Sequence, residues 1–335
     1  MAVFLSYRES LRYWRSSAPY FGRELMNSPV DAAPVKACTA RLGDVEGLRL
    51  EEYSDENGRL ELLVFDQAQR FRSSTISKRF IGKKLPERSF YQVKRGVYAC
   101  SPELLLVLCA AAGSVIDTIS LGLELCGTYS LAADGSLFEH DAITTVDDIA
   151  RYLEEVPGLK GVKTCRRALR YIRNGSASPR ETDLYMMLCL PPGLGGFGLG
   201  GALLNHTLPI AERLRGKTGM SAITPDLYWK RGSLALEYES DEHHIDIPVI
   251  TPQMRARHTM DSIRRRTYEA LQLKVITVTN GEFISYVEME RIARMVAKVT
   301  GRHGIRTDRE ILMRRTQLHN WLLVPTGNRK PFEER

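Results

Sequence analysis

The stretch from Ile223 to Ser240, ITPDLYWKRGSLALEYES, narrows the folds open to this 335-residue chain more than any other. An apolar-rich run from Ile223 to Trp229 meets the polar break Lys230-Arg231-Gly232-Ser233. An alternating run from Leu234 to Tyr238 follows, and the whole is the pattern of a β-hairpin. With Arg231 and Gly232 as the turn residues, Asp226 falls opposite Glu237. Directly opposed residues on one face have Cβ atoms roughly 4.5–5.5 Å apart. The strand period of two adds Glu239 to that face and points Leu236 and Tyr238 away. Three acids on one face repel one another. A hard divalent cation with oxygen ligands would hold them together and could activate a water. The same alternation also describes an ordinary hairpin whose polar face is solvated and binds nothing.

Length favours two domains, and 43% hydrophobic with 26% charged residues describes a globular chain with an ample core. Six scattered cysteines, none in a C-x-x-C pair, read as buried thiols of a reducing cytoplasm rather than a disulfide frame or zinc site. The N-terminus lacks the apolar core of a signal peptide. The most apolar stretch, Leu104 to Ile116, falls short of the ~18–20 residues of a membrane span and reads as a core helix, so no membrane partner is expected. A net charge of +7 favours a polyanionic partner.

Residues 3 to 15 predict a short amphipathic helix with Ser6 at its N-cap and Glu9 as capping-box partner. LRLEEYS and LELLVFD, separated by Asn57-Gly58, predict a hairpin, and Phe90 to Ala99 a further strand. The basic run Arg72, Lys78, Arg79, Lys83 and Lys84 reads as a solvated loop, with a phosphate-contacting edge as the alternative. Helices follow over 103 to 116, 145 to 155 and 161 to 173. Asn174-Gly175 marks the boundary between a domain of residues 1–175 and one of 176–300, and 301–335 is a basic tail. From Arg291 to Arg335 there are 11 Lys and Arg against 4 Asp and Glu.

Ser178, Pro179 and Glu181 make a complete helix-start signature, so Glu181 could serve only as a cap. The glycine-rich PPGLGGFGLGG that follows comes after a helix, not a strand, and precedes no G-K-[ST]. It fails both dinucleotide and P-loop readings and is taken as a connector or substrate-side loop. Leu203 to Pro209 predicts a strand leading to the hairpin. A helix from Pro252 to Leu273, a strand from Lys274 to Thr279 that can join the hairpin's sheet, and a helix from Phe283 to Thr300 complete the domain.

In order, the second half presents Glu181 on a helix, Pro225-Asp226, Glu237-Tyr238-Glu239-Ser240, His243 or His244, Asp261 with Arg264, and the strand Val275 to Thr279. This order resembles the PD-(D/E)xK, or restriction-endonuclease-like, superfamily, and within it the very-short-patch-repair-like endonuclease domains. The resemblance implies an α/β fold, a mixed sheet flanked by helices, here preceded by an α+β N-terminal domain. It also implies a metal-dependent DNA endonuclease in which Asp226, Glu237 and Glu181 hold Mg2+ or Mn2+. The superfamily's lysine position is occupied by Glu239, so Glu239, His243 or His244 is expected as proton acceptor or further ligand. Arg255, Arg257, Arg264, Arg265 and Arg266 are expected on the DNA backbone. The first half, with its L-R-Y-W-R start and Ser101-Pro102-Glu103, resembles abortive-infection antitoxin-like proteins, which implies bacterial defence and a toxin or other protein partner. The alternative is a catalytically inactive, DNA-binding antitoxin or regulator that keeps a nuclease-like shell. Cutting both strands would require two active sites, hence a homodimer; a monomer would nick.

Overall fold

The computed structural model describes residues 1–16, 35–55, 57–69, 73–132, 136–239, 252–302 and 304–333, with side chains throughout except at 42 and 252–259. The chain is a mixed α/β protein of two compact units, Met1–Asn174 with Lys330–Arg335, and Gly175–Arg329. Among the described residues no helix is long and apolar enough to cross a membrane.

The first unit holds a five-stranded mixed sheet. Its strands are β1 (Val3–Leu5), β2 (Leu60–Val64), β3 (Ile76–Phe80), β4 (Phe90–Lys94) and β5 (Val97–Cys100), in the order β3-β2-β1-β5-β4. Several sequence expectations change here. Val3–Leu5 is a central strand, fully buried between β2 and β5, and the helix begins only at Tyr7. Ser6 makes no cap bond: its hydroxyl donates to Glu61, and Glu9 instead accepts from the Glu61 N–H at 2.9 Å. The Asn57-Gly58 hairpin does not form. Both edges of β2 are occupied, antiparallel by β1 and parallel by β3, which leaves 51–53 as a single 3-10 turn. Of the basic run, Lys78 and Arg79 lie in the edge strand β3, Lys83 and Lys84 follow it outside any strand, and Arg72 lies outside the described residues; Arg79 pairs with Glu61 at 3.0 Å, and a Lys-bearing edge resists further pairing. The apolar helix is two helices, Pro102–Ala112 and Val115–Leu125, divided where Ser114 and Asp117 form a capping box. A small hairpin of β6 (Tyr129–Leu131) and β7 (Leu137–Glu139), and helices Val146–Glu155 and Val162–Leu169, complete the unit.

In the second unit the stretch Leu203–Ile223 is broken into β8 (Leu203–Leu204), β9 (Leu208–Pro209) and β10 (Ala222–Ile223), with a helix, Glu212–Thr218, between the last two. Among the described residues β9 and β10 pair only with each other. The main sheet runs β13-β12-β11-β8, with β11 (Leu227–Trp229) and β12 (Leu234–Glu239) antiparallel and β13 (Lys274–Thr279) parallel to β12. The hairpin register is Leu227 on Leu236, Tyr228 on Ala235 and Trp229 on Leu234. Ile223, Ala235 and Tyr268 form a buried cluster that seats the helix Pro252–Ala270 against the sheet. Helices Asn280–Ile284 and Tyr286–Val299 follow β13, and the segment read as a tail contains a further helix, Arg309–Leu323.

The hairpin turn is held by close approach. Gly232 adopts φ +89° and a Cβ there would lie 2.5 Å from the Val299 carbonyl oxygen, whereas Ser233 holds φ +48° at some cost. Gly232→Ala is expected to destabilise the unit by about 2 kcal/mol or more, and Ser233→Gly to leave stability equal or raise it by up to about 1 kcal/mol. Urea unfolding followed by tryptophan fluorescence measures both.

Candidate active site

The turn fixes the register, and the register brings the acids together. Continued one residue past β11, the pairing sets Asp226 across from Glu237, and the Asp226 carboxylate accepts the Tyr238 N–H at 2.6 Å. The strand breaks at Thr224-Pro225, so Asp226 is a strand-end residue whose carbonyl accepts from the Asn205 N–H at 3.0 Å. Asn205, in a left-handed conformation that asparagine tolerates, also donates its side-chain amide to Glu181.

Glu181 occupies the third position of the helix Pro179–Cys189. Its N–H is capped by the Ser178 hydroxyl at 3.2 Å, and its carboxylate accepts from the Ala177 N–H at 3.0 Å. Capping and site membership therefore coexist in one residue. Only 8% of Glu181 is exposed. Burial, and to a smaller degree the charge of Glu237, raise its pKa, against the three hydrogen bonds that lower it.

Asp226 is the most perturbed of the three. Burial comes first, then the charges of Glu237 and Glu181, and together they push its carboxyl to about 8, against the opposing pull of the Tyr238 N–H and Arg264. Glu237 is bound on its other side. Arg264 Nη2 and the Tyr268 hydroxyl both donate to Glu237 Oε1, and Arg264 also donates to the Thr224 carbonyl at 3.3 Å. Arg264 and Tyr268 are one helical turn apart, so they share a face of Pro252–Ala270, and the buried Tyr268 ring anchors that face in the core.

Arg264, expected on DNA, is thus turned inward to Glu237. Arg265 and Arg266 are exposed, and Arg255 and Arg257 lie in the first two turns of the same helix. Glu239 ends β12, half-buried and paired in register with Thr279, two residues beyond Glu237 on the same side of the strand. His243 and His244 lie outside the described residues. Of the aromatics, Trp229 is buried with its indole donating to the Leu199 carbonyl at 2.7 Å, and Tyr238 donates to Asn280 at 3.1 Å.

The structure therefore brings Glu181, Asp226, Glu237 and Arg264 into one electrostatic group. Among the described residues no group of three or more His, Cys, Asp or Glu is spaced to hold a metal ion. Asp226 and Glu237 fit a hard cation as an oxygen pair, and the proton on Asp226 marks where positive charge is wanted. Two members, Asn205 and Tyr268, were missed from the sequence. The spacing of Tyr268 four residues after Arg264 could have flagged it, whereas Asn205 sits in an apolar run with no local signal. No protein-family model, no curated protein and no solved structure matches the chain.

A carboxyl whose native pKa lies above its unfolded 3.8 binds more protons folded than unfolded between those values. Its contribution therefore weakens as pH rises from near 4 toward 8. In metal-free buffer the stability of Asp226→Asn relative to the natural protein is expected to grow steadily from about pH 5 to about pH 8. Parallel pH profiles in chemical denaturation would show that Asp226 does not carry the buried proton.

Proposed function

We propose that the second unit is a metal-dependent DNA endonuclease of the PD-(D/E)xK, restriction-endonuclease-like kind, hydrolysing phosphodiesters. The observation that carries the reading is the half-buried pair Asp226 and Glu237 facing each other across the end of the hairpin, with the buried Glu181 close enough to raise the Asp226 pKa. Like-charged carboxylates gathered in a desolvated setting are a functional-site signature more than a structural one. The order of helix, hairpin, helix and parallel strand around them supports the same family.

Asp226 and Glu237, with Glu181, would hold Mg2+ or Mn2+ through oxygen. The bound cation supplies a water of lowered pKa and offsets charge on the leaving oxygen. Arg264 and Tyr268 fix the orientation of the Glu237 carboxylate. Arg264 also sets a permanent cation beside it, a charge that the family's lysine would bring and that Glu239, standing in the lysine's place, does not. Glu239, His243 or His244 would take the proton from the attacking water. Arg255, Arg257, Arg265 and Arg266 would hold backbone phosphates, with affinity falling steeply as salt rises. One such site per chain nicks; cutting both strands needs two copies. The N-terminal resemblance implies a defence setting with a toxin as protein partner.

A second reading, an inactive nuclease-like DNA-binding antitoxin or regulator, is favoured by the occupation of Glu237 by two donors and by Glu239 at the lysine position. Supercoiled plasmid with Mn2+ or Mg2+ separates the two. The endonuclease reading expects cutting by the natural protein that drops on the order of 100-fold or more in both Asp226→Asn and Glu237→Gln, the scale of losing one group that acts on the transition state. Salt-dependent DNA binding without cutting would support the second reading instead.

A further inference from the structure

At the turn end of the β11–β12 hairpin lies a feature that the acids do not use. The glycine-rich loop after Pro191 folds back on its own helix, and Gly196 has no room for a side chain, since a Cβ there would lie 2.1 Å from the Leu190 carbonyl oxygen. Gly195 and Gly196 serve close packing, and the positive charge near the loop comes from elsewhere. A cavity of about 380 Å³ is lined by Phe197, Gly198 and Leu199 of this loop, by Arg231 of the hairpin turn, and by Arg302 and Arg306 beyond the helix Tyr286–Val299. Among the described residues no Asp or Glu lines it.

The three guanidiniums are only lightly compensated. Arg231 donates to the Gly301 carbonyl at 2.8 Å, and Arg302 to the carbonyls of Gly198 and Gly200. Arg306 pairs with Asp308 at 3.1 Å, in an exposed pair of the kind worth little. Behind the wall stands a fourth cation. Arg315 is fully buried, with its guanidinium carbon 4.4 Å from the centre of the Phe197 ring. Its Nη2 donates to the Arg306 carbonyl at 3.0 Å, while Nε and Nη1 have no partner, so none of its nitrogens hydrogen-bonds a carboxylate. A buried cation left without an anion is costly, and an anion in the adjoining cavity would offset it.

We propose that this cavity binds a phosphate group, carried by a free nucleotide or by a nucleic acid backbone. Planar guanidiniums match phosphate oxygens in pairs. The volume is at the lower end for small-ligand pockets, enough for a phosphate with its attached sugar. Arg231 sits in the turn, and the strand from Leu234 to Glu237 adds about 10 Å at the rise of an extended chain, so the site is distinct from the carboxylates at the hairpin's open end. It stands whether or not those carboxylates cut DNA.

The test uses the full chain in EDTA, which silences metal-dependent cutting. Inorganic phosphate, a deoxynucleoside 5′-monophosphate and a short duplex are each titrated calorimetrically into the natural protein and into R231Q/R306Q. Both residues are exposed, and the melting temperature without ligand reports folding; Arg306→Gln alone serves if the double variant is unstable. At least tenfold weaker binding of phosphate and mononucleotide by the variant assigns the site to free nucleotides. An unchanged response to these with a duplex salt slope reduced by about two assigns it to the backbone. A folded variant that binds all three as the natural protein does would overturn the proposal.

Discussion

The register of β11 against β12 is the constraint on which the rest of the second unit depends. Leu227 must face Leu236 and Trp229 must face Leu234 for the apolar side of the hairpin to meet the core, and the pleat then leaves Asp226 opposite Glu237. A slip of one residue would put Ala235 and Glu237 where Leu234 and Leu236 now sit, or Ser233 and Ala235 if it ran the other way. Gly232 pins this register from the turn, by fitting beneath the Val299 carbonyl, and the Tyr238 N–H pins it from the open end by bonding the Asp226 carboxylate. Apolar burial in the hairpin thereby forces like charges together at its rim.

That forced proximity is offset locally. Glu181 receives N–H donors from Ala177 and Asn205, Glu237 receives Arg264 and Tyr268, and Asp226, with fewer donors, keeps its proton. Each support is rooted in a rigid element: Tyr268 in the core cluster with Ile223 and Ala235, Asn205 in the break after β8, Ser178 and Glu181 in one helix cap. An arrangement that accepts such cost at a hairpin rim is organised around charge rather than stability. The arginine-lined cavity at the other end of the hairpin is the mirror case, with cations gathered and, among the described residues, no acid in its lining.

How much was legible in the sequence differs between the halves for a physical reason. In the second unit the signals were local: alternation in Leu234–Glu239, the Gly-bearing turn, the Ser-Pro-x-Glu cap and the apolar run Lys274–Thr279 each specify their own element, and the hairpin register followed by counting. In the first unit the outcome depended on partners far away in sequence. β2 pairs with β1 and β3, so Asn57-Gly58, a strong turn signal, lost its hairpin to non-local pairing, and Val3–Leu5 became a central strand although it is flanked by helical spacing. Arg264 was legible as a cation but not in its direction, because only the packing of Tyr268 aims that helix face inward.

Titration of Mn2+ into metal-free protein at neutral pH tests the central claim most directly, because it asks whether the carboxylate group is a cation site before any chemistry is required of it. Saturable binding by the natural protein, lost in both Asp226→Asn and Glu237→Gln, is the expected result. No binding, or binding that both substitutions leave intact, would contradict it.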